Sequence, residues 1–171
     1  MGESFHAALR AATAADHAAV DTAYAGFDLA DRDGYAAFLT AHARALPAIE
    51  SALVRAGDDG FRPRTPLLAQ DLAALGMDMP VPLAIALPVG AAERAGMLYV
   101  IEGSRLGGGL LARQVPAGLP SAYLSATHLP GEWRALLTRL DEETEGDGRL
   151  RDAVETARAT FALYRSAALA T

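Results

Sequence analysis

Apolar residues recur at helical spacing along most of this chain. Intervals of three and four residues place them on one face of a helix. The pattern predicts helices at residues 3–24, 34–56, 66–75, 91–114, 130–143 and 149–170, separated by connectors rich in glycine and proline. No segment shows the alternation of a half-buried strand, and no internal repeat or break in composition marks a second domain. We therefore expect an all-α fold, a single domain over residues 1–171 built as a bundle of six to eight helices.

Local signals refine three of these helices. Thr65 followed by Pro66 is typical of a helix start, with the threonine as N-cap, and Gly76 is typical of a helix end. Pro47 lies inside the second predicted helix and is expected to kink it. His42, in the same helix, lies among apolar positions with no acidic residue three or four positions away, so we expect a structural core histidine.

The helix predicted at 91–114, called the glycine helix below, has a glycine cluster at its centre. Each glycine inside a helix costs about 1 kcal/mol relative to alanine, and the cluster contains Gly103, Gly107, Gly108 and Gly109. Gly103 and Gly107 are four residues apart and share a face, which leaves a strip of bare backbone. Two interpretations stay open: the glycines mark a helix contact or a frayed helix end, or a flat ligand approaches the strip. A phosphate-binding loop does not fit, because the chain has neither a lysine nor a GxGxxG motif.

A carboxylate directly precedes this cluster. Glu102 lies inside an apolar run, so it is either on an exposed turn of the helix or buried and hydrogen-bonded. Ionised side chains are rarely buried, and we therefore expect Glu102 to be exposed.

A line of polar residues follows the apolar face of the first helix. Thr13 lies one turn before His17, Asp21 lies one turn after it, and Arg10 is two turns before it. A histidine that binds a metal through one ring nitrogen usually donates its other N–H to a carboxylate, carbonyl or water, and Asp21 is placed to accept it. The alternative is a histidine at the edge of the core, hydrogen-bonded to its own helix. From this helix alone, both interpretations stay open.

Composition argues against several classes of function. A net charge of −6 opposes general nucleic-acid binding, which needs a basic surface. The absence of cysteine excludes disulfides, thiolate metal sites and a cysteine nucleophile. No apolar run has the length of a membrane span, and the N-terminus lacks the pattern of a signal peptide. We therefore expect a cytoplasmic protein with no nucleic-acid partner and no membrane partner.

The first helix and the glycine helix together resemble the two heme-facing helices of heme oxygenases, especially the short bacterial forms associated with bacteriophytochrome. The resemblance rests on LRAATAADHAAVD and YVIEGSRLGGGLLARQV, and it extends to YAAFLTAHARALPAIESAL, LLAQDLAALG and ATFALY. It implies a heme-oxygenase-like domain with heme as both substrate and prosthetic group, cleaved with O2 to biliverdin, CO and ferrous iron. It also implies an external electron donor, either a ferredoxin or a flavoprotein reductase, and a phytochrome as acceptor of biliverdin.

The resemblance assigns heme-binding roles to side chains on three helices. His17 matches the proximal iron ligand, the two arginines match basic residues near the heme propionates, and the aromatic residue matches the pocket wall. The implied set is His17, Arg10, Thr13, Asp21, Arg134 and Phe161.

The resemblance places the catalytic positions on the distal side, at Gly103, Ser104 and Gly107. The two glycines match positions where backbone passes close over the porphyrin. At Ser104 the chain departs from the animal enzymes, which have an aspartate there that orders a water network for proton delivery. A hydroxyl holds a water without supplying charge, although short bacterial forms tolerate a serine. The alternatives are a non-catalytic heme-binding carrier or sensor on the same fold and, more distantly, an all-α interaction module whose glycines pack helices.

Overall fold

The computed structural model describes residues 4–58, 60–88, 90–143 and 147–171. These residues form seven helices and no strand: α1 (Phe5–Tyr24), α2 (Arg32–Arg55), α3 (Thr65–Ala74), α4 (Ala91–Ala112), α5 (Ala122–Ser125), α6 (Glu132–Glu143) and α7 (Asp147–Leu169). The all-α class and the expected number of helices are confirmed. None of the helices in the described residues combines the length and hydropathy that a membrane span requires.

The predicted helices correspond to the observed ones with ends that differ by two residues or fewer. α2 begins earlier than predicted because the Asp31 carboxylate caps it, accepting the backbone N–H groups of Asp33 and Gly34 at 3.0 and 2.9 Å. Pro47 lies within α2, and the kink there stays a prediction. The one-turn helix α5 was predicted as connector, since four residues are too few to show a helical period.

The predicted capping of α3 is wrong. Its N-cap residue is Arg64, and the Thr65 hydroxyl is buried with no hydrogen-bond partner in the described part of the chain. The backbone N–H groups of Arg64 and Thr65 donate instead to the Glu50 carboxylate of α2, at 2.6 and 3.1 Å. A carboxylate from another helix therefore satisfies this helix start. The predicted end is confirmed, with Gly76 in the left-handed region at φ 77°.

α7 is the helix around which the bundle is arranged. α1, α2 and α4 all pack on it, whereas α1 and α4 have little direct contact with each other. α4 approaches α7 closely at Gly96, where a Cβ would clash with the carbonyl oxygen of Ala153 and lie 3.0 Å from the backbone nitrogen of Ala157. α1 and α4 therefore both lie on α7 with little direct contact, and the term cleft denotes below the region between these two helices.

Candidate functional site

One face of α4 is left uncovered by the rest of the bundle. Among the described residues, a Cβ at Gly107 would have no atom of another element within 4 Å, and one at Gly103 would meet only the Trp133 ring, at 3.9 Å. On the same side, the side chains of Leu106 and Leu110 are 55% and 65% exposed. We call these four positions of α4 the glycine face. Its bare backbone and exposed leucines form an apolar surface that helix packing does not explain.

The other two glycines of the cluster have packing roles. A Cβ at Gly108 would lie 3.1 Å from the carbonyl oxygen of Leu124 in α5, and one at Gly109 would lie 3.0 Å from Cγ2 of Thr127. The packing interpretation therefore applies to Gly108 and Gly109. The ligand interpretation remains for Gly103 and Gly107.

His17 lies on α1 with a side chain that is 64% exposed. Its Nδ1 is 3.2 Å from the Asp21 carboxylate, and its ring meets the Phe161 ring of α7 edge-on, with centroids 5.7 Å apart at 83°. A metal-binding histidine usually turns its second ring nitrogen towards a carboxylate, so with Asp21 beside Nδ1 the nitrogen left for a metal is Nε2. The structure thus brings together three of the predicted heme-binding residues.

Tyr99 connects α4 to α1 across the cleft. Burial raises the pKa of the Tyr99 phenol, and the charge of Arg10 and a hydrogen bond with Thr13 oppose that rise. Thr13 is itself buried and donates its hydroxyl to the carbonyl oxygen of Leu9 at 2.8 Å. Tyr99 was not predicted from the sequence, although its position four residues before Gly103 places it on the same side of α4 as that glycine.

The Ser104 hydroxyl lies in a polar network between α3 and α4. It accepts a hydrogen bond from the Arg64 guanidinium at 2.8 Å and donates to the carbonyl oxygen of Ile101 at 3.0 Å. Arg64 is only 2% exposed, and it also donates to that carbonyl oxygen at 2.6 Å. A buried cation therefore orients the hydroxyl that follows the first glycine of the cleft. Arg64 was not predicted from the sequence, because it lies at the start of α3, far from Ser104 of α4 along the chain.

The same network continues into the core through Tyr123 and His42. The Arg64 guanidinium lies 5.0 Å from the centroid of the Tyr123 ring, and the Tyr123 hydroxyl is 2.7 Å from Nδ1 of His42. Burial, aided by the Arg64 charge, lowers the pKa of His42 to about 3, so His42 is neutral at pH 7. The expectation that His42 is a core residue agrees with this placement.

Glu102 is buried, so the expectation of an exposed carboxylate is wrong. Its side chain accepts hydrogen bonds from Nε of Arg105 at 2.8 Å and from Nε2 of His128 at 2.9 Å. Arg105 is buried as well and donates to the carbonyl oxygens of Ala126 and Arg62. These partners, one of them a full charge, offset the cost of removing the carboxylate from water.

The two arginines assigned to the propionates have exposed side chains, Arg10 on α1 and Arg134 on α6. The two helices are joined where the backbone N–H of His6 donates to the Asp141 carboxylate at 2.9 Å. Arg134 directly follows Trp133, the residue that faces Gly103. Their role toward a ligand stays a prediction.

The known proteins that resemble this chain belong to one family. No family model matches the chain. A heme oxygenase of Xanthomonas campestris pv. campestris (strain 8004) is 36% identical over 150 residues, which cover 80% of this chain and 89% of that protein. The solved structure of the NO- and CO-bound heme oxygenase from Neisseria meningitidis superposes with a TM-score of 0.79 at 26% identity, covering 98% of this chain and 91% of that chain. The chain therefore belongs to the heme oxygenase family.

Proposed function

We propose that this chain binds heme in the cleft between α1 and α4 and cleaves it to biliverdin, CO and ferrous iron, using O2 and an external reductant. Membership of the heme oxygenase family makes the protein an enzyme of heme degradation. The observation that carries the placement of the site is the empty space above Gly107, next to exposed leucines of the same helix face. A flat apolar ring would cover this surface and remove it from water.

The residues on the α1 wall fit the iron of such a ring. His17 would hold the iron through Nε2, and Asp21 would fix the imidazole orientation through Nδ1. When bound, heme supplies the iron and the ring that react with dioxygen. Phe161 contacts the edge of the His17 ring and restricts its rotation.

The polar edge of heme has matching groups at one end of the cleft. The two propionates need cationic or hydrogen-bonding partners in a protein whose net charge is −6. We assign Arg10 and Arg134 to this role. Tyr99 and Thr13 would lie near the propionate edge of heme beside Arg10, because the charge of Arg10 already acts on the Tyr99 phenol.

We assign proton supply on the distal side to Ser104. Its hydroxyl donates one hydrogen bond and accepts one from Arg64, which leaves one lone pair for a water. Arg64 keeps this hydroxyl in place because the guanidinium is buried and hydrogen-bonded to the same turn of α4. Gly103 and Gly107 would contribute by having no side chain, which leaves room for dioxygen.

The engagement of Ser104 also favours one alternative. A hydroxyl already bonded to Arg64 and to the backbone, with no carboxylate hydrogen-bonded to it among the described residues, is suited to a heme-binding carrier or sensor that does not turn over. The two functions share the heme site and differ in whether product forms.

We extend the proposal to partners, domain and compartment. A ferredoxin or flavoprotein reductase would deliver the electrons, and a phytochrome would receive biliverdin. We also propose that residues 1–171 form a single domain working in the cytoplasm. The resemblance to short bacterial forms and the composition of the chain support these assignments.

An absorption experiment tests the function. Hemin is added to the protein and to a His17→Ala variant, followed by a reductant in air, with His6→Ala as a control on the same helix. We expect a Soret band in the parent and in His6→Ala, its conversion to biliverdin absorption, and an altered axial-ligand spectrum in His17→Ala. A stable Soret band without biliverdin would support the carrier, and no Soret band would contradict both heme functions.

A further inference from the structure

The only tryptophan of the chain, Trp133 of α6, lies beside Gly103 of α4. Its Cη2 is the nearest atom to the position of a Cβ on Gly103, at 3.9 Å. It lies near the start of α6, which the Glu132 carboxylate fixes by accepting Arg62 at 2.9 and 2.7 Å and the Leu129 N–H at 2.7 Å. The backbone of Trp133 is therefore anchored, and what remains to be fixed is the orientation of its ring.

The ring of His128 packs against that indole. The two ring centroids are 5.5 Å apart with an interplanar angle of 36°, and the His128 side chain is only 8% exposed. His128 comes from the connector between α5 and α6, so the contact is made within one segment of chain. Among the described residues, His128 is the aromatic side chain whose ring contacts Trp133.

Glu102 of α4 holds His128 in this position. Its carboxylate accepts Nε2–H of His128 at 2.9 Å and is itself oriented by Arg105 at 2.8 Å. Nδ1 of His128 is buried and has no hydrogen-bond partner in the described residues, so the Glu102 bond sets the orientation of the ring. Glu102 directly precedes Gly103. Trp133 is thus connected, through His128 and Glu102, to the turn of α4 that contains Gly103.

We propose that Trp133 determines which edge of the porphyrin lies beneath Gly103 and Gly107, and that His128, held by Glu102, is the positioning residue for Trp133. This inference rests on the proposed heme site. A large rigid ring beside an open strip of backbone restricts how a flat ligand can rotate in the cleft. The edge that reaches the open strip decides which meso carbon is cleaved, so the pair selects the biliverdin isomer.

Two substitutions at His128 separate its two contacts. His128→Gln keeps a donor for Glu102 but loses the ring against Trp133, whereas His128→Phe keeps a ring but loses the bond to Glu102. Leu129→Ala, at a neighbouring residue that is 61% exposed, is the control. Because Trp133 is the only tryptophan, the fluorescence anisotropy decay of the apo-protein reports its motion alone. We expect faster local motion in both His128 variants and no change in Leu129→Ala.

The second measurement is the ratio of biliverdin isomers, with hemin quenching of Trp133 emission followed in parallel. We expect quenching in every variant that forms a Soret band, a shifted isomer ratio in both His128 variants and in Trp133→Leu, and the parent ratio in Leu129→Ala. If the His128 variants do not fold, Trp133→Phe and Trp133→Leu test the wall directly, with the larger shift in the leucine variant.

The outcomes distinguish this inference from the function on which it rests. A Soret band without quenching of Trp133, or unchanged isomer ratios in the folded His128 and Trp133 variants, would overturn the inference and leave the proposed function standing. A parent protein that forms no Soret band would overturn the proposed function, and this inference with it.

Discussion

The two sides of α4 use glycine for different reasons. On the packed side, Gly96 lets α4 lie against the backbone of α7, and Gly108 lets it lie against the carbonyl oxygen of Leu124. On the cleft side, Gly103 and Gly107 have open space above them or a ring at van der Waals distance. Glycines of one helix are thus separable by what a methyl group would meet. Those that would meet backbone serve packing, and those that would meet nothing leave room for a ligand.

His42 and His17 show the same contrast between the packed side and the cleft side. His42 lies in the core beside Tyr123, where burial lowers its pKa to about 3. His17 lies on the cleft side, exposed and paired with the Asp21 carboxylate. A histidine that a metal can reach needs exposure and a second partner for its ring, and only the second of these has both. The comparison can be tested by substitutions on each side.

The largest expected effect is a loss of folding stability at acidic pH, caused by His42 on the packed side. The pKa of His42 is about 3 in the folded protein against 6.5 for the free side chain, so the unfolded state binds more protons between these values. The free energy of unfolding should therefore fall as pH is lowered from about 6.5 towards 3, by about 1.4 kcal/mol per unit from this group. His42→Gln removes the titrating group and should flatten that slope, measured by urea unfolding at several pH values. An unchanged slope in His42→Gln would contradict the assignment.

Gly96→Ala should be the most destabilising substitution among the glycines of α4. Its methyl group would clash with the carbonyl oxygen of Ala153, and neither helix backbone can move freely in the core. Overpacking of this kind costs about 1–3 kcal/mol. Denaturant unfolding should show the loss at neutral pH. A stability equal to that of the parent would mean that α4 and α7 are less closely packed than described.

Gly108→Ala should cost less, about 1 kcal/mol. The methyl group would lie 3.1 Å from the Leu124 carbonyl oxygen, and α5 is a single turn that can shift by a few tenths of an ångström. The higher helix propensity of alanine offsets part of the strain. The same denaturation experiment should rank this variant between Gly96→Ala and the parent. The reverse ranking of the two variants would show that α5, not α7, limits the position of α4.

Gly107→Ala should have the smallest effect on folding and a clear effect on function. Alanine gains about 0.4–1 kcal/mol over glycine in a helix whose backbone angles permit it, and no neighbouring atom opposes the methyl group. We expect a melting temperature no lower than that of the parent, retained hemin binding, and loss of biliverdin formation. Normal turnover in this variant would place the reacting part of heme on another face of α4.

The sequence predicts the elements of this fold because their causes are local. An apolar stripe at intervals of three and four determines which residues form a helix and which face turns inward, as in α1 and α7. Gly76 ends α3 through its own backbone conformation. Such signals depend on neighbours within one or two turns, and they are read directly from the order of residues.

The predictions that failed depend on contacts between residues that are far apart in the sequence. Glu50 caps α3 from another helix, and the burial of Glu102 depends on His128, which comes from a distant connector. A carboxylate is expected to be exposed to solvent unless it has partners, and local sequence spacing does not show partners from distant segments. Tyr99 was missed for a different reason: its spacing of four residues from Gly103 was visible, but its interaction with Arg10 and Thr13 of α1 was not.

The most direct test of the cleft is the hemin affinity of Gly107→Leu, measured by titration of the Soret band against the parent protein. A leucine side chain would extend from a Cβ that has no atom of another described element within 4 Å. The variant should unfold at the same denaturant concentration as the parent or a higher one, and its hemin affinity should fall at least about tenfold, which corresponds to about 1.4 kcal/mol. A folded Gly107→Leu variant that binds hemin as tightly as the parent would contradict a heme site on the glycine face.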